Sequence, residues 1–233
     1  MSEFLHFTEH RLQELALAFM ALVYIVRVAW FLRFKAGSER QAPTGRGAGV
    51  SRKSILYSWA NVAMPWAMES TRRQPFLYVQ FVIFHLGVAA AIALSFIIPY
   101  SPGLLDRPVA VRLLQVIIGA AAVTGVLRII RRVGDPYMRA ISSPDDYFSL
   151  VLLTVWFSFA LLSVPNQATR GEFHLLAYFL LTGFFLVYVP FSKISHYLYY
   201  PFTRYYLGKT LGRRGVYPLR RGAGQRLTKA TTP

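Results

Sequence analysis

The stretch FLYVQFVIFHLGVAAAIALSFIIPY, from Phe76 to Tyr100, decides the class of this protein. It holds no Asp, Glu, Lys or Arg and a single histidine, His85. The run exceeds the roughly 20 apolar residues an α-helix needs to cross bilayer hydrocarbon. Four further runs meet the same test, at approximately Leu15–Phe34, Ala110–Ile130, Tyr147–Pro165 and Phe173–Tyr200. The segment before the first run, SEFLHFTEHRLQE, is acidic as well as basic, and no small-residue cleavage site follows the run. It is therefore read as a retained span rather than a signal peptide.

Composition agrees with five spans. Of 233 residues, 55% are hydrophobic and only 15% charged, against about 25% charged in an average soluble chain. The formal charge of +16 comes from 26 Lys and Arg against 10 Asp and Glu. These basic residues alternate with long uncharged runs, a distribution that points to a membrane and not to nucleic acid. The chain has no cysteine, which excludes disulfides, a thiolate zinc site, a cysteine nucleophile and any iron–sulfur cluster on its own thiolates.

Lys and Arg also set the expected orientation through the positive-inside rule. The first connection carries Lys35, Arg40, Arg46, Arg52, Lys53, Arg72 and Arg73; the third carries Arg131, Arg132 and Arg139. The tail adds Arg204, Lys209, Arg213, Arg214, Arg220, Arg221, Arg226 and Lys229. Arg11, Arg107 and Arg170 stand alone on the other side, with Arg112 just inside span three. The expected protein is multi-pass in the cytoplasmic (inner) membrane, N-terminus outside, C-terminus cytoplasmic, with a basic tail over 213–233. SILYSWANVAMPWAMES, from Ser54 to Ser70, reads as a cytoplasmic interfacial helix or as a loop touching the membrane. The fold class is all-α integral membrane: residues 1–212 form five spans, with spans two to five as a four-helix bundle and span one packed outside it.

Ionisable residues inside a bilayer are costly, so each is a site hypothesis by default. His85 lies in span two, about 13 Å of helix rise from its cytoplasmic start. His196 reaches a similar depth, about 15 Å, if the fifth helix persists to Tyr206. Two neutral imidazoles on opposed helices suit the axial positions of a low-spin b-type haem; alternatively, each His ties helices together by a hydrogen bond. Gly87, Ala89, Ala90 and Ala91, with Gly119 to Ala122, either leave room for a flat macrocycle or form close-packing faces. Arg27, in VYIVRVAWFL, either pairs with a haem propionate or snorkels to the inner headgroups beside Arg33 and Lys35. Arg128, Arg131 and Arg132 are similar candidates for propionates or anionic lipid. Gln80, Gln115 and Thr124 suit a quinone carbonyl or a helix contact equally. The tyrosines Tyr197, Tyr199, Tyr200, Tyr205 and Tyr206 read chiefly as an aromatic belt. Asp145 and Asp146 read as the N-terminal cap of span four.

The segment VPFSKISHYLYYPFTRYYLG, from Val189 to Gly208, resembles the last helix of the nitrate reductase gamma-subunit family of membrane cytochromes b. That family includes the membrane subunits of sulfite-reductase-associated, heterodisulfide-reductase-like and hydrogenase-associated complexes. IFHLGV, from Ile83 to Val88, is similar to the entry of the family's haem-binding second helix, and DPYMRAISSPDDYFSLVLL to its cytoplasmic turn. The resemblance implies one bis-His haem b on His85 and His196, a quinone as redox partner, and an iron–sulfur subunit docked at the cytoplasmic face. It further implies an electron-transfer subunit that is not catalytic alone. The family's second, outer haem would fall on about Ser95 and Tyr178, neither of them a normal low-spin ligand, so that haem is expected to be missing. A displaced second haem on His174 with His10 or His6 stays open. The competing reading is a haem-free membrane anchor or assembly subunit.

Overall fold

The computed structural model describes residues 2–34, 52–167 and 171–218, with positions 37, 40 and 42. Its regular elements are all helical among the described residues. Arg220, Arg221, Arg226 and Lys229 of the basic tail, and Lys35, Arg46 and Arg170 of the loops, lie outside the described residues.

The helices are α1 (Glu3–Phe7), α2 (Gln13–Arg33), α3 (Arg52–Ala60), α4 (Glu69–Arg73), α5 (Pro75–Tyr100), α6 (Pro108–Gly134), α7 (Pro136–Ile141), α8 (Pro144–Ser163), α9 (Phe173–Tyr188) and α10 (His196–Arg213). A π-helical turn, Thr8–Leu12, joins α1 to α2. Five helical stretches are long and apolar enough to cross a membrane: Glu3–Arg33, Pro75–Tyr100, Pro108–Gly134, Pro144–Ser163 and Phe173–Phe191. The protein is thus built as a multi-pass membrane protein.

Local chemistry explains the helix ends. Proline begins α5, α6, α7 and α8, at a position where its missing N–H costs nothing and its fixed φ suits the helix. Asp135 caps α7 by accepting from Tyr137 N at 2.9 Å. Ser143 and Asp146 form a capping box on α8; of the two aspartates expected there, Asp146 joins the cap and Asp145 accepts from the Tyr188 hydroxyl.

The fifth span ends earlier than the sequence reading placed it, at Phe191 and not at Tyr200. The cause is Pro190, which cannot donate to the helix ladder and clashes with the preceding turn. The chain tightens into 3₁₀ turns at Val189–Phe191 and Lys193–Ser195, separated by an extended Ser192 (φ −101°, ψ 171°). His196 therefore opens a new helix. The segment 54–70 is likewise not one helix: α3 ends at Ala60, and short 3₁₀ turns flank Met64, whose φ of −115° and ψ of 79° are non-helical.

Contacts divide the chain into two compact units. The first is Met1–Arg33 with Val79–Ser195; the second is Phe34–Tyr78 with His196–Pro233.

In the first unit α6 packs on α8, α8 on α9 and α9 on α2, and α5 touches each of these helices. It meets α6 where Gly87 faces Ala121, α8 where Phe84 meets Phe157 with ring centroids 5.2 Å apart, and α9 where the Tyr178 hydroxyl donates to the Ala91 carbonyl. It meets α2 where Gln13 Nε2 donates to the Ser95 carbonyl at 3.0 Å. A Cβ at Gly87 would stand 2.0 Å from that of Ala121, so only glycine permits this approach. The interior is filled by Trp156, Phe157, Tyr178 and Phe179, all buried. Because lipid tails are as apolar as these side chains, close packing and buried hydrogen bonds hold such helices together. Trp156 Nε1 donates to Thr182 Oγ1 at 2.9 Å, and Thr182 Oγ1 donates to the Tyr178 carbonyl at 2.8 Å. Span one packs on α9 and α5 but stays mostly exposed, with 6% of its most apolar window buried.

The second unit is built on α3 against α10. A Cβ on Gly208 would come within 2.6 Å of Ile55 Cα, so the two backbones nearly touch. Trp59 Nε1 donates to the Pro201 carbonyl at 3.0 Å, and the Tyr200 hydroxyl donates to the Trp59 carbonyl at 2.9 Å. After α10 the chain folds back, and the Tyr217 carbonyl accepts from Ser54 Oγ at 3.1 Å.

Candidate functional site

His85 belongs to the first unit and His196 begins the part of the chain that belongs to the second. On α5, Gln80, Phe84, Gly87, Ala91, Leu94 and Ile98 are buried. His85, Ala89, Ile92 and Phe96 recur at helical spacing on the exposed stripe. His85 is therefore not a core residue of its unit. It is the one His, Asp, Glu, Lys or Arg in this span, yet it stands outside the packed interior.

The His85 ring is held in place. Its Nδ1 lies 2.8 Å from the Phe81 carbonyl, and the ring sits over Phe81 with centroids 4.2 Å apart. A carbonyl only accepts, so Nδ1 donates and the neutral imidazole carries its lone pair on Nε2. Metal-binding histidines are commonly oriented by this kind of second hydrogen bond. His196 is the first residue of α10, exposed, with the Tyr197 ring edge-on at 6.4 Å. Among the described residues no three His, Asp or Glu side chains gather as a metal centre. Each of the two positions offers an imidazole, a side chain of the type that ligates haem iron.

Arg27 lies over the Phe191 ring, 5.3 Å from its centroid, and Arg128 lies 5.1 Å from the centroid of Phe84. Both cations are paired with aromatic faces, an attraction worth about 0.5–2 kcal/mol depending on desolvation. Arg128 thereby stands beside the residue that precedes His85.

Gly87 and Ala121 serve the α5–α6 contact, whereas Ala89 lies on the exposed stripe one turn from His85. Thr124 Oγ1 donates to the Ala120 carbonyl of its own helix at 2.8 Å, and Gln80 is buried. The outer positions, Ser95 and Tyr178, are occupied by structure. Ser95 Oγ donates to the Ile92 carbonyl at 2.8 Å, and Tyr178 is fully buried against Trp156, ring centroids 6.1 Å apart. The His174 carbonyl, in the first turn of α9, accepts from Ser163 Oγ at 3.2 Å. His6 and His10 lie together, ring centroids 4.7 Å apart, with Tyr100 edge-on to His10 at 5.5 Å.

One feature escaped the sequence reading. Lys193 Nζ donates to Asp146 Oδ2 at 2.9 Å and to Ser143 Oγ at 2.7 Å, and Tyr188 donates to Asp145. The broken segment between α9 and His196 is thus tied to the first turn of α8. The adjacent aspartates and the lysine in an apolar turn were the visible signal, but their pairing spans 47 positions.

No protein-family model matches the chain, and no solved structure matches it. A curated protein of Nitratidesulfovibrio vulgaris (strain Hildenborough) is 24% identical over 209 residues, which cover 87% of this chain and 88% of that one. It is named only "Protein". The likeness extends over most of both chains and carries no activity with it.

Proposed function

We propose that this chain is a membrane cytochrome b subunit of a multi-subunit respiratory oxidoreductase in the cytoplasmic membrane. It relays electrons between the quinone pool and a cytoplasmic-side iron–sulfur subunit, with one haem b held by His85 and His196. The observation that carries this reading is the His85 imidazole. It sits within an apolar span and is exposed on its unit's surface, and its Nδ1 is committed to the Phe81 carbonyl. Polar groups at membrane depth normally face a bundle interior or a partner, because lipid leaves them unsatisfied. An imidazole on the exposed stripe of an apolar span, its ring oriented by the Phe81 carbonyl, is matched to a ligand that covers it.

When bound, the haem supplies reversible one-electron transfer at a potential set by its ligands and burial. His85 and His196 would hold it through one ring nitrogen each. The Phe81 carbonyl orients the His85 ring, and Arg27 and Arg128 would be the cations available to offset propionate charge. With no cysteine in the chain, the iron–sulfur relay belongs to another polypeptide. The Arg and Lys of the first and third connections and of α10 support a docking face on the cytoplasmic side.

The second reading is a haem-free anchor or assembly subunit. It is favoured by the same hydrogen bond taken alone, since the Phe81 carbonyl satisfies one nitrogen of His85 within its own helix. Spectroscopy separates the two. The purified chain, made with ample haem supply and reduced with dithionite, should give a b-type spectrum and about one haem per chain by pyridine haemochrome. His85→Ala and His196→Ala should each abolish it, and His174→Ala should not. A colourless, folded preparation would establish the anchor reading instead.

A further inference from the structure

We infer that His6 and His10 form a two-imidazole site for a divalent transition-metal ion at the N-terminal end of the first span. The two residues stand four apart in His6-Phe7-Thr8-Glu9-His10, the spacing that brings side chains onto one helix face. Their ring centroids are 4.7 Å apart. The inward positions of this segment are taken by Leu5, Thr8, Glu9 and Gln13, each at most 3% exposed. Thr8 Oγ1 donates to the Leu5 carbonyl at 2.8 Å and Gln13 Nε2 to the Ser95 carbonyl at 3.0 Å, which locks that face inward through the π-helical turn. His6 is left exposed and His10 half-buried on the other side, with the Tyr100 ring bracing His10 edge-on at 5.5 Å.

An ion with nitrogen bonds of about 2.0–2.1 Å needs its two donors about 3.4 Å apart, a separation that rotation of two rings already this close can supply. Adjacent imidazoles on one helix can bind only side by side, which suits a small ion. A haem would need them on opposite faces of the ring. Imidazole nitrogen suits Zn²⁺, Ni²⁺ and Cu²⁺. Glu14, one turn further along, accepts from the Tyr100 hydroxyl at 3.1 Å and lies 3.7 Å from Arg11. Its carboxylate is thus already engaged by these two groups. Among the described residues no third His, Asp or Glu joins them, so water completes the coordination and the site exchanges its ion freely.

The site is independent of the haem ligands, and its test keeps them apart. Equilibrium dialysis of the full chain in detergent against Zn²⁺ alone should show one ion bound in the His85→Ala/His196→Ala background. His6→Ala or His10→Ala should weaken that binding by about tenfold or more, since even loss of an outer-shell partner costs about 10–100-fold. His174→Ala should leave it unchanged. Equal binding by a helical His6→Ala/His10→Ala protein would overturn the site. If those variants fail to fold, Cu²⁺ electron paramagnetic resonance on the His85→Ala/His196→Ala protein decides: coupling to two equivalent nitrogens supports the pair, and its absence refutes it.

Discussion

Lys193 Nζ and Asp146 Oδ2 stand 2.9 Å apart, joining the turn before His196 to the capping box that starts α8. The two partners are unequal. Asp146 also accepts from Ser143 N at 2.8 Å and is 21% exposed on its side chain, whereas Lys193 is 60% exposed. Asp146→Ala should therefore cost about 1–2 kcal/mol through the lost cap. Lys193→Ala should cost no more than about 1 kcal/mol, the range of an exposed pair. Thermal unfolding of the two variants in the same detergent checks the order, and a larger loss for Lys193→Ala would contradict this assignment.

At Gly87, α5 comes hard against Ala121 of α6. Gly87→Ala should force α5 from α6 and destabilise by about 1–3 kcal/mol, the usual cost of overpacking. Ala121→Gly removes the opposing methyl, so the double variant Gly87→Ala/Ala121→Gly should recover much of the loss. Thermal melts of the three proteins give the coupling, and simple additivity of the two changes would show that the helices do not meet at this point.

These contacts mark what could be read before any coordinates. The five spans were legible because each is a local property of an uncharged run, and the α8 cap because Ser143 and Asp146 lie within one turn. The helix break at Pro190 was within reach too, since a proline inside a helix removes a ladder hydrogen bond and crowds the preceding turn, although Pro201 is accommodated within α10. The pairing of α3 with α10 was not legible, because it depends on Gly208 and Trp59 meeting partners more than a hundred positions away. Nor was the outward face of His85. The neighbouring helices decide which stripe of a uniformly apolar α5 is buried, and periodicity cannot.

Tyr178 tests how the outer half of the first unit is held. Its hydroxyl donates to the Ala91 carbonyl, and its ring is fully buried beside Trp156 and Phe179. Tyr178→Phe keeps the volume and should cost about 0.5–1.5 kcal/mol, the net worth of one hydrogen bond, since the Ala91 carbonyl keeps its place in the α5 ladder. Tyr178→Ala adds a cavity and should cost about 3–5 kcal/mol. Equilibrium unfolding in mixed micelles would measure both, and a Tyr178→Phe protein as stable as the parent would mean that the hydroxyl contributes nothing.

Glu172 and Ser2 tie the start of the first span to the N-terminus of α9. Ser2 N donates to Glu172 Oε1 at 2.7 Å, and hydrogen bonding from Ser2 holds the Glu172 carboxyl below its ordinary value of 4.5. A carboxyl with a depressed folded pKa contributes stability that is present above the unfolded value. That contribution is lost as pH falls through the folded one. The tie should therefore be intact at pH 6 and loosen progressively below about pH 4.5. Since the chain has no cysteine, a cysteine placed at exposed Phe4 would carry a unique spin label. Its mobility should rise on acidification in the parent, while Glu172→Gln should show the same mobility at both ends of the range. A parent label whose spectrum is unchanged from pH 6 to pH 3 would show that this carboxylate does not anchor the segment.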